Sequence, residues 1–148
     1  MPPLDGSESL VIDCSVTMAW YFKDEATPYT NAVRAALATE RAAVPAVWPV
    51  EVANVLLMGE RRGRSTQTQA TTWLRFLSAL RIAVDTRTSD HAFDAILSLA
   101  RGHALTTYDA AYLELTMRLG VPLAARDAAL ERAVQAVGFP LFTPPAAP

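Results

Sequence analysis

Ser9-Leu10-Val11-Ile12-Asp13-Cys14-Ser15 is the stretch on which the fold turns. Its first four residues carry no polar alternation, the pattern of a strand buried on both faces, and an acid stands where the run ends. Residues 41–47, 82–84 and 121–125 read as further strands, 103–105 as a brief extended segment and 140–142 as a final edge strand. Amphipathic helices are predicted between them, over 16–22 and 28–39, and from Pro49 to about Gly63 with Pro49 as first residue. Ser65 is placed to cap a helix running through Leu80, with Trp73, Phe76, Leu77 and Leu80 on one face. Ser89 is placed to cap a helix over 90–101 that stops at Gly102. Thr106 or Thr107 starts one ending at Leu119-Gly120, and a last helix over 128–137 stops at Gly138. Strands alternating with helices predict a single α/β domain, a central parallel sheet flanked by helices on both faces. The folded domain is expected over residues 9–143, with 1–8 and 144–148 as flexible ends.

The 148 residues suffice for one core, and a hydrophobic content of 51% is an ordinary globular fraction. A net charge of −2 and a pI near 5.6 exclude a protein that coats nucleic acid through its overall charge, so any such contact must be local. Cys14 is the only cysteine, which excludes an intrachain disulfide and a zinc–cysteine cluster. The opening MPPLDGSES has no basic segment followed by an apolar core, and charges interrupt every apolar stretch before membrane-spanning length. A soluble cytoplasmic domain without a membrane partner is expected.

In open parallel sheets, ligands bind beyond the carboxyl ends of the strands. Asp13 directly follows one strand and Asp127 lies two residues after another, while Glu51 and Asp109 fall in the first turns of helices that follow strands. Carboxylates about 4 Å apart repel by roughly 4 kcal/mol per pair at an effective dielectric near 20, so a cluster of them needs protons or a cation. Oxygen-only donors suit Mg²⁺ or Mn²⁺, and such a site points to phosphoryl chemistry if the four acids converge. Taken singly, Glu51 and Asp109 also read as first-turn acids favoured by the helix dipole, and Asp127 as an N-cap. Asp13, an acid at the end of an apolar strand, needs either a site or a good partner.

These blocks resemble the PIN domains of VapC-type toxins. VIDCSVTMAWYFKDE is similar to the family's opening strand, Asp-x-Ser turn and short helix. VWPVEVANVLL resembles the block that carries the second acid, and LTTYDAAYLELTMRLGVPLAARDAAL the blocks that carry the third and fourth. The resemblance spans roughly residues 9–143, and all four blocks stand in order. It implies a metal-dependent endoribonuclease that cuts single-stranded regions of RNA, the toxin of a type II toxin–antitoxin pair. It further implies Mg²⁺ or Mn²⁺ held by Asp13, Asp109 and Asp127, with Glu51 binding directly or through water. Ser15 would support the first acid or a metal-bound water. A homodimer and a VapB-type antitoxin are the implied partners, with the helix faces holding Trp20 and residues 52–57 as contact candidates. Ala125 departs from the pattern, since many relatives carry Thr or Ser there.

Two other functions are weighed: a catalytically inactive PIN-like binding module, and a Mg²⁺-binding receiver-type signalling domain. The second requires a lysine after a late strand, and the only lysine, Lys23, comes too early. Arg61, Arg62 and Arg64 read either as RNA-phosphate ligands or as a solvated helix end. Asp90 and Asp94 read as helix-surface acids, and His91 and His103 belong to no motif. Trp20, Tyr21 and Phe22 could form a base-stacking surface, although Trp20 reads better as core. Packing is the default for Tyr108 and Tyr112, and Cys14 reads as a small buried hydrophobe.

Overall fold

The computed structural model describes residues 1–146, so part of the C-terminal tail assigned to a flexible end lies outside the described residues. Four parallel strands, β1 (Leu10–Ile12), β2 (Ala42–Val44), β3 (Ile82–Val84) and β4 (Leu123–Ala124), form one sheet in the order β3-β2-β1-β4. Seven α-helices flank it among the described residues: α1 (Cys14–Ala19), α2 (Pro28–Ala36), α3 (Trp48–Arg61), α4 (Gln67–Ala79), α5 (Leu97–His103), α6 (Thr107–Leu119) and α7 (Ala128–Ala136). Every residue of β1 and β2 is buried. Because side chains alternate between the faces of a strand, this burial means that both faces of the sheet are covered.

Side-chain caps explain where most helices begin. Asp13 accepts from the Val16 N–H at 2.8 Å, which starts α1 at Cys14, two residues earlier than expected. Thr27 with Thr30, and Thr66 with Gln69, form reciprocal capping boxes for α2 and α4. Thr66 therefore caps α4, and Ser65 does not. Thr106 caps α6 and Asp127 caps α7, and the left-handed Gly120 closes α6.

The expected helix over 90–101 is replaced by three pieces: a 3₁₀ turn (Thr88–His91), a π-helical turn (Ala92–Ile96) and α5. Tertiary anchoring outweighs the Ser89 cap. The buried Thr88 hydroxyl donates to Asp85 Oδ2 at 2.8 Å and accepts from the Ala46 N–H at 2.9 Å, fixing the turn to the end of β2. Gly102 stays helical and Ala104 takes the left-handed position at φ 52°, so 103–105 is a helix end instead of an extended segment. The Leu105 N–H returns to the Ala100 carbonyl, and Leu105 packs with Ile96, Ala110 and Ala111. Residues 140–142 contribute a single parallel bridge, Leu123 to Leu141, in place of a full strand.

The N-terminal residues are also engaged with the sheet. The Val84 N–H donates to the Pro2 carbonyl at 2.9 Å, and buried Glu8 accepts from Arg41 Nε at 3.2 Å. Trp20, Phe22, Val52 and Leu56 lie in the core, which withdraws them as a base-stacking or antitoxin surface. Trp20 Nε1 donates to the Thr30 carbonyl, joining α1 to α2. Gly59 permits α3 to close on Phe22, since a Cβ there would stand 2.9 Å from the ring.

One buried charge cluster braces β3 against α6. Asp85, 2% exposed, receives Arg118 Nη2 at 2.6 Å and Nη1 at 3.2 Å, and Arg118 Nε also meets Glu114 at 2.7 Å. Burial alone would raise the Asp85 pKa, but Arg118 and Thr88 outweigh it and hold the carboxyl below its ordinary value. Its stabilising contribution is complete above the unfolded value near 4 and is lost as pH falls below that. Arg118→Ala should cost roughly 3 kcal/mol in urea denaturation at pH 7, because it strands a buried carboxylate. The variant should also lose less stability than the wild type between pH 5 and pH 2.

Candidate active site

The pairing of β1 with β4 brings two distant acids to one place. Ile12 lies opposite Ala124, and the Asp13 N–H donates to the Ala124 carbonyl at 3.1 Å, so Asp13 and the segment leading to Asp127 leave the sheet side by side. On the other side of β1, β2 runs into α3, which carries Glu51 in its first turn. Trp48 Nε1 donates to the Thr17 hydroxyl at 3.0 Å, and that hydroxyl donates to the Asp13 carbonyl at 3.1 Å. The start of α3 is thereby tied to the start of α1. Asp109 enters from the first turn of α6.

All four acids line one cavity of about 350 Å³, together with Ser15, Glu25 and Tyr112. Asp13 is only 4% exposed, and the Ser15 hydroxyl lies 3.0 and 2.9 Å from its two carboxylate oxygens. Glu51 accepts from the Tyr112 hydroxyl at 2.6 Å. Asp127 is exposed and spends Oδ1 on the Ala129 N–H as the cap of α7. No trio of His, Cys, Asp or Glu among the described residues already forms a metal-ligating cluster.

The electrostatics are those of a site with too much negative charge for its burial. Asp13 is pushed up to about 6, chiefly by desolvation and further by Asp109, against the hydrogen bonds from Val16 and Ser15. Glu51 is raised by desolvation and by Asp109, although its bond from Tyr112 opposes the shift, and Asp109 is raised by desolvation and by Asp127. Burial, with Glu51 and Asp13 nearby, also pushes the Cys14 thiol and the Tyr112 phenol upward, so neither serves as an anion here. An all-oxygen donor set in which three carboxyls resist ionising fits a hard divalent cation, whose charge offsets that repulsion.

Other residues singled out in the sequence lie elsewhere. Asp90 pairs with Arg87, Asp94 is exposed, and His91 stands 3.7 Å from Glu114; neither they nor His103 reach the cavity. Arg61 and Arg62 end α3 in solvent, while Arg64 turns back to Asp24 and Glu25. Buried Ala125 leaves no hydroxyl at its position. Tyr112 was read only as packing, and two further residues around the cavity escaped the sequence reading. Tyr112 had a signal, its place one turn after Asp109 on the same helix face. Glu25, in a 3₁₀ turn (Lys23–Glu25), and Arg126, which reaches Glu25 and the Ser15 carbonyl, had none.

The PIN domain family profile matches residues 10–135. The chain belongs to the PIN domain family. PIN domains are generally nucleases and typically use divalent metal ions, which removes the receiver-type alternative. Among solved structures, PAE2754 from Pyrobaculum aerophilum is similar, with 22% identity, a TM-score of 0.64 and coverage of 86% of this chain and 80% of that one. A toxin–antitoxin complex from Klebsiella pneumoniae is similar over 94% of this chain and 100% of its own, at 14% identity and a TM-score of 0.62. At these identities the likeness is one of fold. No curated protein sequence matches.

A carboxyl raised by burial favours the fold below its unfolded pKa, and that contribution disappears as pH rises through about 6. Metal-free Asp13→Asn should therefore be more stable than the wild type by about 1–3 kcal/mol at pH 8, and close to it at pH 4. Millimolar Mg²⁺ or Mn²⁺ should raise the melting temperature of the wild type and leave that of Asp13→Asn unmoved. Equal stabilisation of both by the cation would remove Asp13 from the metal site.

Proposed function

We propose that this PIN domain is a divalent-metal-dependent endoribonuclease that cuts single-stranded regions of RNA, acting as the toxin of a type II toxin–antitoxin pair. The observation that carries this reading is the single cavity lined by Asp13, Glu51, Asp109 and Asp127, which come from separate strand-to-helix connections. Asp13, Asp109 and Asp127 would hold Mg²⁺ or Mn²⁺, and Glu51 would bind it directly or through water. A cation held by these residues would supply Lewis acidity toward water and charge to offset that of a phosphate. Ser15 acts by fixing the Asp13 carboxylate from both oxygens. Tyr112 is a positioning residue, since its hydroxyl orients Glu51.

A VapB-type antitoxin and a second copy of the chain belong to the same reading. The neighbouring complex from Klebsiella pneumoniae is described as a toxin with its antitoxin, which favours it. The surface we assign to the antitoxin is an apolar groove of about 920 Å³ that shares Glu51 with the acid cavity. Phe93, 95% exposed, stands on its rim with Val50 and Tyr108. A partner seated there would lie against the wall of the active site. Among the described residues, no helix is long and apolar enough to cross a membrane.

The test is cleavage of single-stranded RNA by antitoxin-free protein in Mg²⁺ or Mn²⁺, with single-stranded DNA of the same sequence in parallel. Asp13→Asn should fall to background while remaining folded. Tyr112→Phe should retain metal-induced stabilisation and lose about 10–100-fold in rate. A folded wild type that binds cation and RNA but cuts neither nucleic acid would be a binding module instead.

A further inference from the structure

The cavity that would receive RNA is lined by five carboxylates, Glu25 in addition to the four acids of the site, and by no basic side chain. A single divalent cation offsets two of those five charges. A polyanionic strand therefore needs a protein cation nearby. Two arginines touch the rim, both through Glu25.

They are held very differently. Arg64 stacks over the Phe22 ring at 3.9 Å, reaches both Asp24 oxygens at 3.0 Å and meets Glu25 Oε2 at 3.3 Å. All of these polar contacts leave from Nη2, and together with the stack on Phe22 they hold the guanidinium against the 23–25 turn. Arg126 projects between buried Ala125 and Asp127, and only Nη1 makes contacts: 3.4 Å to the Ser15 carbonyl and 3.7 Å to Glu25 Oε1. Its Nε and Nη2 have no acceptor among the described residues. The Ser15 carbonyl belongs to the residue whose hydroxyl grips Asp13, so the loosely held guanidinium lies at the mouth of the acid site with its fork unused.

We propose that Arg126 is the phosphate-binding residue of this site, and that Glu25 holds it at the rim until RNA displaces the carboxylate. A partly exposed ion pair at this separation is weak, whereas an arginine fork on a phosphate forms two charge-assisted hydrogen bonds. Arg64 keeps Glu25 in place from its other oxygen, so Glu25 can release Arg126 without leaving the turn. The order of contacts separates Arg64 from Arg61 and Arg62, which lie in solvent at the end of α3 and have no part in the rim.

The assignment rests on the nuclease reading, and the experiment separates the two. Binding of a fluorescent single-stranded RNA with fully 2′-O-methylated, uncleavable riboses is followed by anisotropy in Mg²⁺ across a salt series. Cleavage of the natural RNA by wild type is measured alongside. Arg126→Ala should weaken binding about tenfold and lower the slope of log affinity against log salt by about 0.7, while melting as the wild type does. Arg126→Lys should keep the slope and lose part of the affinity, because it retains the charge without the fork. Glu25→Gln should bind more tightly than wild type, and Arg62→Ala should bind as wild type does. If the wild type cuts RNA while Arg126→Ala keeps its affinity and salt slope, the Arg126 assignment falls and the nuclease reading stands. Weakened binding in Glu25→Gln would overturn the displacement of Glu25. If the wild type neither binds nor cuts RNA, the nuclease reading falls and the phosphate assignment with it.

Discussion

The register of β1 on β4 is the constraint on which the rest of the site depends. One backbone hydrogen bond, from the Asp13 N–H to the Ala124 carbonyl, ends the ladder where both strands turn toward helices. A slip of one residue would turn Ile12 from one face of the sheet to the other and carry Asp13 out of the cavity. The register is protected by burial, because no residue of β1 can move without exposing apolar surface.

Around that junction, local and functional chemistry share the same atoms. The Asp13 carboxylate caps α1 through Val16 while holding Ser15, and Asp127 caps α7 while standing at the cavity mouth. The caps orient each carboxylate at little entropic cost, since the backbone that supplies the donors is already fixed. They also leave several acids crowded in a poorly hydrated space, which raises Asp13, Glu51 and Asp109 together. In the proposed reading a cation would offset this crowding, an arrangement in which stability is given up for function.

Stability is supplied from elsewhere in the molecule. The Asp85–Arg118–Glu114 cluster and the Thr88 hydroxyl fasten the outer strand and the broken helical segment to α6, away from the acids. The same segment carries Phe93 into solvent beside the groove that shares Glu51 with the cavity. The contact from Trp48 to Thr17 joins α3 to α1 from beneath, so the helices bearing Glu51 and Asp13 are linked by a buried hydrogen-bond chain.

The alternation of strands and helices, the single parallel sheet and the four acids at strand-to-helix transitions were all legible in the sequence. Each depends on local periodicity and on short-range capping, which neighbouring residues determine. The segment from Thr88 to Ala104 was misread because contacts from β2, Asp85 and α6, distant in the chain, override its own N-cap and glycine signals. Trp20 already read as core, whereas Val52 and Leu56 could be placed on a helix but not on the correct side of the surface, which only packing decides. Glu25 and Arg126 became visible around the acids only once the chain was folded. Their relation to Asp13 and Glu51 spans long loops, and a sequence does not encode such distances in any periodic signal.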